Sequence, residues 1–494
     1  MSGVASLIER LDDAMSPVVV KELRQAVRGR FIVLLLMGFL VTQLVTMGVA
    51  LLVGAENAAM ADTMAMGRTT FLWLLGILLG TCLLCIPLYT GIRLGVERSD
   101  SDIDLLFITT IRPHAIVFGK LASSLLLTLL IFAASLPFMV FTYFLRGIDM
   151  PSIFILLALG LIAIAVMVCL AIMLATLPVS KPFKVIIGLN FAFGGLPALP
   201  IIMAFAFSFL QGGGGSRIAT SAFWIGATIT VIFCGSACAV MTAISIAQVT
   251  PPAANRAKPV RIALVLQWFV TLAGITYLTS VSPDPTPIIV WLMAQMTLLT
   301  VTTIAATSER HDLGARVTNE IPRNPLGRLA VFPFFSGSAN GLVWSALMIG
   351  ASIGVVAPLV KLLLPATVST DYREAMIFAG DYSIYLFGFV LTAMAIREVG
   401  VFAKIPPSRT WIIVVLLMVL AAFIPIAGWI LFGGKTPFGK DMTIWMLASP
   451  IPNPEEPQMA RLVFGATWLA VMLLFRRRWF TERFAAFRRA APAG

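Results

Sequence analysis

Three residues in the last quarter of the chain, Gly434-Lys435-Thr436, resemble the end of a phosphate-binding loop. In such a loop, backbone N–H groups and the lysine hold the phosphates of a nucleotide, and four residues separate the two glycines. That spacing would require glycine where Trp429 stands. The segment also follows an apolar run rather than a short buried strand. We therefore predict that this chain binds no nucleotide.

Residues that could carry out catalysis are scarce. The chain has two histidines, His114 and His311, and neither lies within an apolar run. Residues 100–104 (DSDID) resemble the start of a calcium loop, but Leu105 stands where the turn glycine belongs. Metal-assisted hydrolysis and nucleophile–histidine catalysis need more such parts. We predict no catalytic residues, no cofactor-binding residues and no metal ligands in this chain, and we expect that it is not an enzyme.

Sulfur-containing side chains leave one alternative open. Cys82 and Cys85 lie one helical turn apart within an apolar run, and Met60, Met64 and Met66 lie close together in a polar segment. Thiolate and thioether ligands suit soft metals. Buried cysteine and methionine also serve as ordinary packing residues. The sequence does not decide between these two roles.

The elements that must position any site are apolar segments of membrane-spanning length. Of the 494 residues, 59% are hydrophobic and only 12% are charged, and the mean hydropathy is +0.97. In soluble domains, roughly a quarter of all residues are charged. A helix needs about 20 apolar residues to cross the hydrocarbon core. The composition therefore predicts an all-α, polytopic integral membrane protein.

We predict about twelve transmembrane helices. They lie near residues 31–53, 70–92, 121–145, 152–177, 184–210, 222–248, 261–281, 288–307, 339–364, 377–396, 410–432 and 461–475. Loops that remain in the cytoplasm retain Lys and Arg. A cytoplasmic N-terminus places most of the 35 basic residues inside, which also explains the net charge of +12 through attraction to anionic membrane lipid. No basic face with stacking aromatics is present, so we expect no nucleic-acid partner.

The segment before the first span, residues 16–30 (SPVVVKELRQAVRGR), is predicted to form an amphipathic helix. Ser16 suits the N-cap and Pro17 the first helical position. At about 100° per residue, one arc is apolar and the other is polar. The apolar arc contains Val19, Val20, Leu23, Ala26 and Val27, and the polar arc contains Lys21, Glu22, Arg24, Gln25 and Arg28. Such a helix is expected to lie on the cytoplasmic membrane surface and to meet lipid headgroups or an acidic protein.

The loop between the second and third spans, residues 97–120 (ERSDSDIDLLFITTIRPHAIVFGK), holds a second short amphipathic pattern. Ile103, Leu106 and Phe107 can share one helical face, whereas Asp100 and Asp104 lie on another. A short amphipathic helix below the membrane suits docking into a groove on a protein partner.

Together, these two segments resemble the ABC transporter permease family of the second export class. The first segment matches the family's opening pattern at Pro17, Lys21, Glu22, Leu23, Arg24, Arg28 and Arg30. The second segment matches the family's pattern at Glu97, Arg98, Asp104, Leu105, Leu106, Thr109, Ile116, Val117, Gly119 and Lys120. The resemblance covers about residues 16–250.

This resemblance implies an interfacial elbow helix and a cytoplasmic coupling loop that contacts a separate ATPase subunit. It implies that Mg-ATP is bound by that partner, and that a second permease copy is a further candidate partner. The residues expected at the ATPase interface are Lys21, Glu22, Arg24, Arg28, Glu97, Arg98, Asp104, Leu105, Leu106 and Lys120.

The expected domains are a cytoplasmic N-terminus with the elbow helix (1–30), a six-span permease core with the coupling loop 97–120 (31–250), and a second six-span region of unknown role (251–494). The expected function is that of an exporter permease in a bacterial cytoplasmic membrane. The predicted spans are nearly free of charged residues, which disfavours an ion-coupled carrier. Asp381 and Lys361 are the closest candidates for intramembrane charges. An ATP-independent secondary carrier or lipid flippase, and a membrane assembly protein without transport, remain the alternatives. The substrate and the direction of transport are open.

Overall fold

A computed structural model describes residues 17–56, 63–99, 113–145, 147–177, 188, 198–251, 254–310, 314–364, 371–399, 404–432, 449 and 458–488. These residues form helices and connecting turns, and no strand occurs among them. The chain divides into two compact units, residues 1–251 and 252–494.

Unit 1 contains eight described helices. They are α1 (Pro17–Arg28), α2 (Arg30–Glu56), α3 (Thr63–Ser99), α4 (Pro113–Phe144), α5 (Met150–Ala175), α6 (Ala198–Gln211), α7 (Gly214–Ile218) and α8 (Ser221–Val249).

Unit 2 also contains eight described α-helices. They are α9 (Ala257–Val281), α10 (Thr286–Ala306), α11 (Ala315–Thr318), α12 (Pro325–Val331), α13 (Ser338–Leu363), α14 (Asp371–Arg397), α15 (Thr410–Phe432) and α16 (Gln458–Ala486). Two short 3-10 helices, Phe332–Phe334 and Pro407–Arg409, lie before α13 and α15.

Ten helices in the described part of the chain are long and apolar enough to cross a membrane: α2, α3, α4, α5, α8, α9, α10, α13, α14 and α16. The chain is therefore a multi-pass membrane protein by helix length and composition. Two of the twelve predicted spans, 184–210 and 410–432, coincide with α6 and α15. The 14 residues of α6 are shorter than a bilayer requires, and the residues before α6 are described only at 188 and from 198 on. Twelve spans stays a prediction.

The core of unit 1 is built around α3. Leu74, Leu78, Leu79 and Ile86 of this helix are fully buried, and α4, α5, α2 and α6 pack around them. Close approach of α3 and α5 depends on Gly160, because a Cβ atom there would lie 2.8 Å from Leu79 Cδ2. The apolar contacts of this core hold α3 and α4 in fixed relative positions, which matters for the site described below.

The outer surfaces of the long helices are apolar. On α2, for example, Leu34 is 70% exposed, Leu44 is 63% exposed and Leu52 is 69% exposed. Runs of exposed leucine on a helix are typical of a surface that contacts hydrocarbon rather than water.

Unit 2 carries an apolar cluster near the C-terminal end of α16. Phe332 and Phe335, which precede α13, stack edge-on against Phe487 with ring centroids 5.2 and 5.1 Å apart. Phe484 packs against the same cluster. The last turns of α16 are thereby fixed to the segment that leads into α13.

Candidate functional site

The amphipathic segment 16–30 and the segment 97–120 contact each other through a buried ion pair. Glu22 of α1 and Lys120 of α4 lie 98 positions apart in the chain, and Lys120 Nζ donates to Glu22 Oε1 at 3.0 Å. Glu22 is 7% exposed and Lys120 is 4% exposed. Charged side chains are rarely buried to this extent unless they are paired. The pair therefore fixes α1 against the beginning of α4.

A third helix joins this pair through Arg93 of α3. Arg93 Nη2 lies 3.6 Å from Glu22 Oε2 and also donates to the side-chain amide oxygen of Gln25. Arg93 Nη1 donates to the hydroxyl of Tyr89 at 3.0 Å. The ring of Tyr89 stacks on Phe31 at the start of α2, with centroids 5.3 Å apart and planes inclined by 3°. Four helices are thus connected around one carboxylate. We call Glu22, Arg93 and Lys120 the three-helix charge cluster.

The chain geometry explains why α1 can reach this position. The helix breaks at Gly29, between α1 and α2, where an added Cβ would lie 3.0 Å from the carbonyl oxygen of Ala26. After this break, α1 packs against α4 as well as α2. The side chains at Val19, Glu22 and Ala26, spaced three and four residues apart, share the buried face.

The helical arcs predicted for residues 16–30 need one correction. Glu22 was expected on the polar, outward arc, but it lies on the buried face, whereas the apolar Val27 is 50% exposed. The buried face of α1 differs from the predicted apolar arc because Arg93 of α3 and Lys120 of α4 attract the Glu22 carboxylate inward. The apolar edge at Val27 then faces outward, where lipid can cover it.

The predicted ATPase-interface residues separate into four groups. Glu22 and Lys120 are brought together and buried, whereas Lys21, Arg24 and Arg28 are exposed on α1. Glu97 and Arg98 lie in the last turn of α3, where the helix but not the side chains is described. Asp104, Leu105 and Leu106 lie outside the described residues. Their role at a partner interface stays a prediction.

The three-helix charge cluster couples the position of α1 to the positions of α3 and α4. The carboxylate accepts a hydrogen bond from Lys120 and forms an ion pair with Arg93. Lys120 lies near the start of a 32-residue helix. Hydrogen bonds between ionised groups are the stronger kind and restrict geometry. A displacement of α1 must therefore move α3 and α4 with it, or break a buried charge contact.

The structure describes the packing of Cys82, one of the sulfur-containing side chains that could bind a soft metal. Cys82 is fully buried in the apolar core of unit 1. No group of three or more His, Cys, Asp or Glu side chains that could hold a metal occurs in the described part of the chain. Within those residues, Cys82 has the contacts of a small hydrophobic side chain. Met60 lies outside them.

Sequence reasoning missed a second buried charge cluster, in unit 2. Arg261, at the start of α9, is 3% exposed. Its Nη2 lies 2.6 Å from both carboxylate oxygens of Glu309, and its Nη1 donates to the carbonyl oxygens of Pro333 and Phe335. Glu309 also accepts a hydrogen bond from Gly337 N at 2.8 Å. This cluster holds the turn before α13. No local sequence signal points to it, because Arg261 lies 48 to 74 positions from the residues that it contacts.

A third buried pair lies within two candidate spans. Asp381 of α14 is 5% exposed and Arg461 of α16 is 2% exposed, and Arg461 Nη2 lies 3.1 Å from Asp381 Oδ2. The sequence analysis identified Asp381 but missed its partner. Asp381 is thus a buried charge within a candidate span, and its pairing with Arg461 explains the burial, because a paired carboxylate and guanidinium can be buried where single charges cannot. Lys361, by contrast, is exposed.

Some polar side chains in the middle of the helices join neighbouring helices. Gln43 Nε2 donates to the carbonyl oxygen of Leu74 at 3.1 Å. Gln295 Nε2 and Trp291 Nε1 both donate to Thr271 Oγ1, at 3.3 and 3.0 Å. Such bonds stabilise helix contacts in a membrane.

Comparison of the chain with protein-family models, with curated proteins and with solved structures finds no match.

Proposed function

We propose that this chain is the membrane-spanning permease subunit of an ATP-binding cassette exporter in a bacterial cytoplasmic membrane. ATP is hydrolysed by a separate cytoplasmic ATPase. In this proposal the N-terminus is cytoplasmic, α1 is the elbow helix, and residues 97–120 form the coupling loop. The chain crosses the membrane twelve times, and a second permease copy is a candidate partner.

The observation that carries the proposal is the Glu22–Lys120 ion pair. It joins the two segments on which the family resemblance rests, 98 positions apart in the chain. If an ATPase moved the coupling loop, Lys120 and Arg93 at the two ends of that loop would transmit the movement to α1. The exposed cations Lys21, Arg24 and Arg28 remain free to contact an acidic partner surface or lipid headgroups.

The proposed function requires an ATPase that binds this chain stoichiometrically. The test is to purify the full chain from its native membrane in mild detergent and to quantify bound ATPase by mass spectrometry. We expect one ATPase chain per permease chain. Replacing Asp104 and Leu106 together by alanine is expected to lower the recovered ATPase at least about tenfold, since two central interface side chains together contribute on the order of 2 kcal/mol or more.

The matched control is Lys361→Ala, which removes an exposed charge far from the coupling loop in sequence. ATPase recovery with this variant is expected to equal that of the wild type. Recovery of no ATPase from the native membrane, or equal recovery with the coupling-loop variant, would refute the proposal.

The buried Asp381–Arg461 pair favours a second candidate function, an ion-coupled secondary carrier. Ionisable side chains inside spans often mark ion or proton pathways. A carrier of this kind would transport without an ATPase and would depend on Asp381. Transport by the purified chain in sealed vesicles under an imposed proton gradient, lost in Asp381→Asn, would support this alternative over the exporter.

A further inference from the structure

One end of unit 2 concentrates positive charge around a single carboxylate. Arg397 ends α14, and Arg476 and Arg483 lie two turns apart on α16, close enough for both to act electrostatically on Arg397. The ion pairs described for these arginines end on Glu398, at 2.8 Å from Arg476 Nη1 and 3.9 Å from Arg397 Nη2. Among the described residues, Arg397 and Arg476 thus share the carboxylate of Glu398, and Arg483 adds a third positive charge nearby. The excess of positive charge favours an anionic ligand.

Arg476 gives this cluster its specific character. It is 3% exposed, and its Nε and Nη2 groups have no hydrogen-bond acceptor among the described residues. Its remaining contact is a stacking position over Trp479, 5.8 Å from the ring centroid. Buried N–H donors of an arginine are costly without acceptors. Phosphate oxygens are well suited to accept from a guanidinium.

A cavity of about 290 Å³ lies beside the cluster, at the start of α15. Its lining combines two cations, Lys404 and Arg409, with the apolar side chains Ile405, Ile412 and Ile413. Thr410, which follows the lining residue Arg409, accepts from Arg397 Nη1 at 3.1 Å through its Oγ1, so the arginine cluster lies near the cavity. The cavity is therefore cationic on one side and apolar on the other.

An apolar stripe leads away from this cavity along α15. Ile412 is 45% exposed, and the exposed side chains that follow on the same helical face are Leu416, Val419, Leu420 and Phe423. The stripe begins at the cationic cavity and continues along a helix that is predicted to cross the membrane. A ligand that fits this arrangement has an anionic head and a long apolar chain.

We propose that this end of unit 2 binds an anionic phospholipid. Lys404 and Arg409 contact the phosphate, whose oxygens also accept from Arg476. Arg397 adds to the positive field, and the acyl chains lie along Ile412 and Phe423. Zwitterionic lipids fit less well because they leave the excess positive charge uncompensated. The basic loop that holds Lys404 is predicted on the cytoplasmic side, where anionic lipid attracts cations. The site goes beyond the proposed transport function and does not depend on it.

The test uses the purified full chain in an uncharged detergent. Binding of phosphatidylglycerol and of phosphatidylcholine is measured by native mass spectrometry over a range of lipid concentrations. The double variant Lys404→Gln/Arg409→Gln removes two exposed charges and is expected to leave the fold intact. We expect its affinity for phosphatidylglycerol to fall about tenfold or more, since each cation near a phosphate contributes about 1 kcal/mol.

The matched control is Arg477→Gln/Arg478→Gln, which removes the same charge from exposed positions on α16. We expect this variant to change the affinity by about twofold at most. An equal loss in both double variants would show non-specific attraction and overturn the proposal, as would equal binding of the two lipids by the wild type. Full competition by millimolar inorganic phosphate would reveal a free-anion site and overturn the commitment to lipid. Arg476→Lys, which keeps the charge but loses the fork of donors, is expected to weaken phosphatidylglycerol binding while preserving its selectivity.

Discussion

Removing the carboxylate of Glu22 is expected to destabilise unit 1 strongly. The two charged atoms of the Glu22–Lys120 pair lie 3.0 Å apart, and an effective dielectric constant of about 20 gives an attraction of roughly 5 kcal/mol at such a distance. Desolvation offsets part of this attraction. In Glu22→Gln, however, Lys120 and Arg93 lose the carboxylate that joins them. We expect the free energy of unfolding to fall by about 3 kcal/mol.

The measurement is unfolding by sodium dodecyl sulfate in mixed micelles, followed by circular dichroism. A double-mutant cycle separates the pair from the other effects of each change. Lys120→Met alone leaves the carboxylate buried and is expected to cost a similar amount. The double variant is expected to recover about 2 kcal/mol relative to the sum of the single variants, because it removes both members of the Glu22–Lys120 pair.

The control for this cycle is Lys21→Gln, one residue away on the exposed face of α1. It is expected to change the unfolding free energy by no more than about 0.5 kcal/mol. If Glu22→Gln has an effect as small as that of the control, or if the effects of Glu22→Gln and Lys120→Met simply add, then the ion pair does not hold α1 in place and the reasoning is refuted.

Two further perturbations test unit 2 by the same unfolding assay. Asp381→Asn leaves the guanidinium of Arg461 buried without its carboxylate partner and is expected to cost about 3 kcal/mol, and a loss below about 0.5 kcal/mol would contradict this. Gly341→Ala places a Cβ atom 2.5 Å from Ala306 Cβ and is expected to cost about 1–3 kcal/mol through overpacking. The control is Gly350→Ala on the same helix, where nothing lies within 4 Å of the new Cβ atom. It is expected to stabilise the helix by about 0.5–1 kcal/mol. Equal effects at the two glycines would refute the packing argument.

Apolar runs are visible in the sequence because each one is local. A span requires about 20 consecutive apolar residues, and such a run can be recognised without knowing its neighbours. The ten helices of spanning length in the described part of the chain follow from this property. The end of a span is less certain than its existence, since the helices continue into polar residues. The 37 residues of α3, for example, extend well beyond the predicted span 70–92.

Buried charges were not predictable in the same way. Glu22 looked like part of a polar arc because its own helix gives no reason to bury it. The reason lies in Lys120, 98 positions away. Arg461 was read as the start of a span rather than as the partner of Asp381. In each case, the favourable burial of one charge depends on a second charge that only the packed helices bring near.

The position of Glu22 changes what the two sequence segments can be expected to do. If all polar residues of α1 faced outward, the helix would be a surface that a partner could bind without affecting the spans. Because Glu22 faces inward and contacts both α3 and α4, a force on α1 reaches both helices directly. Breaking this connection would cost several kcal/mol, whereas moving the three helices together breaks no buried charge contact. A rigid unit is therefore the lower-energy response to force applied near the ends of the segment 97–120. In the proposed complex, the exposed cations Lys21, Arg24 and Arg28, rather than the buried Glu22, are the side chains of α1 available to contact the partner.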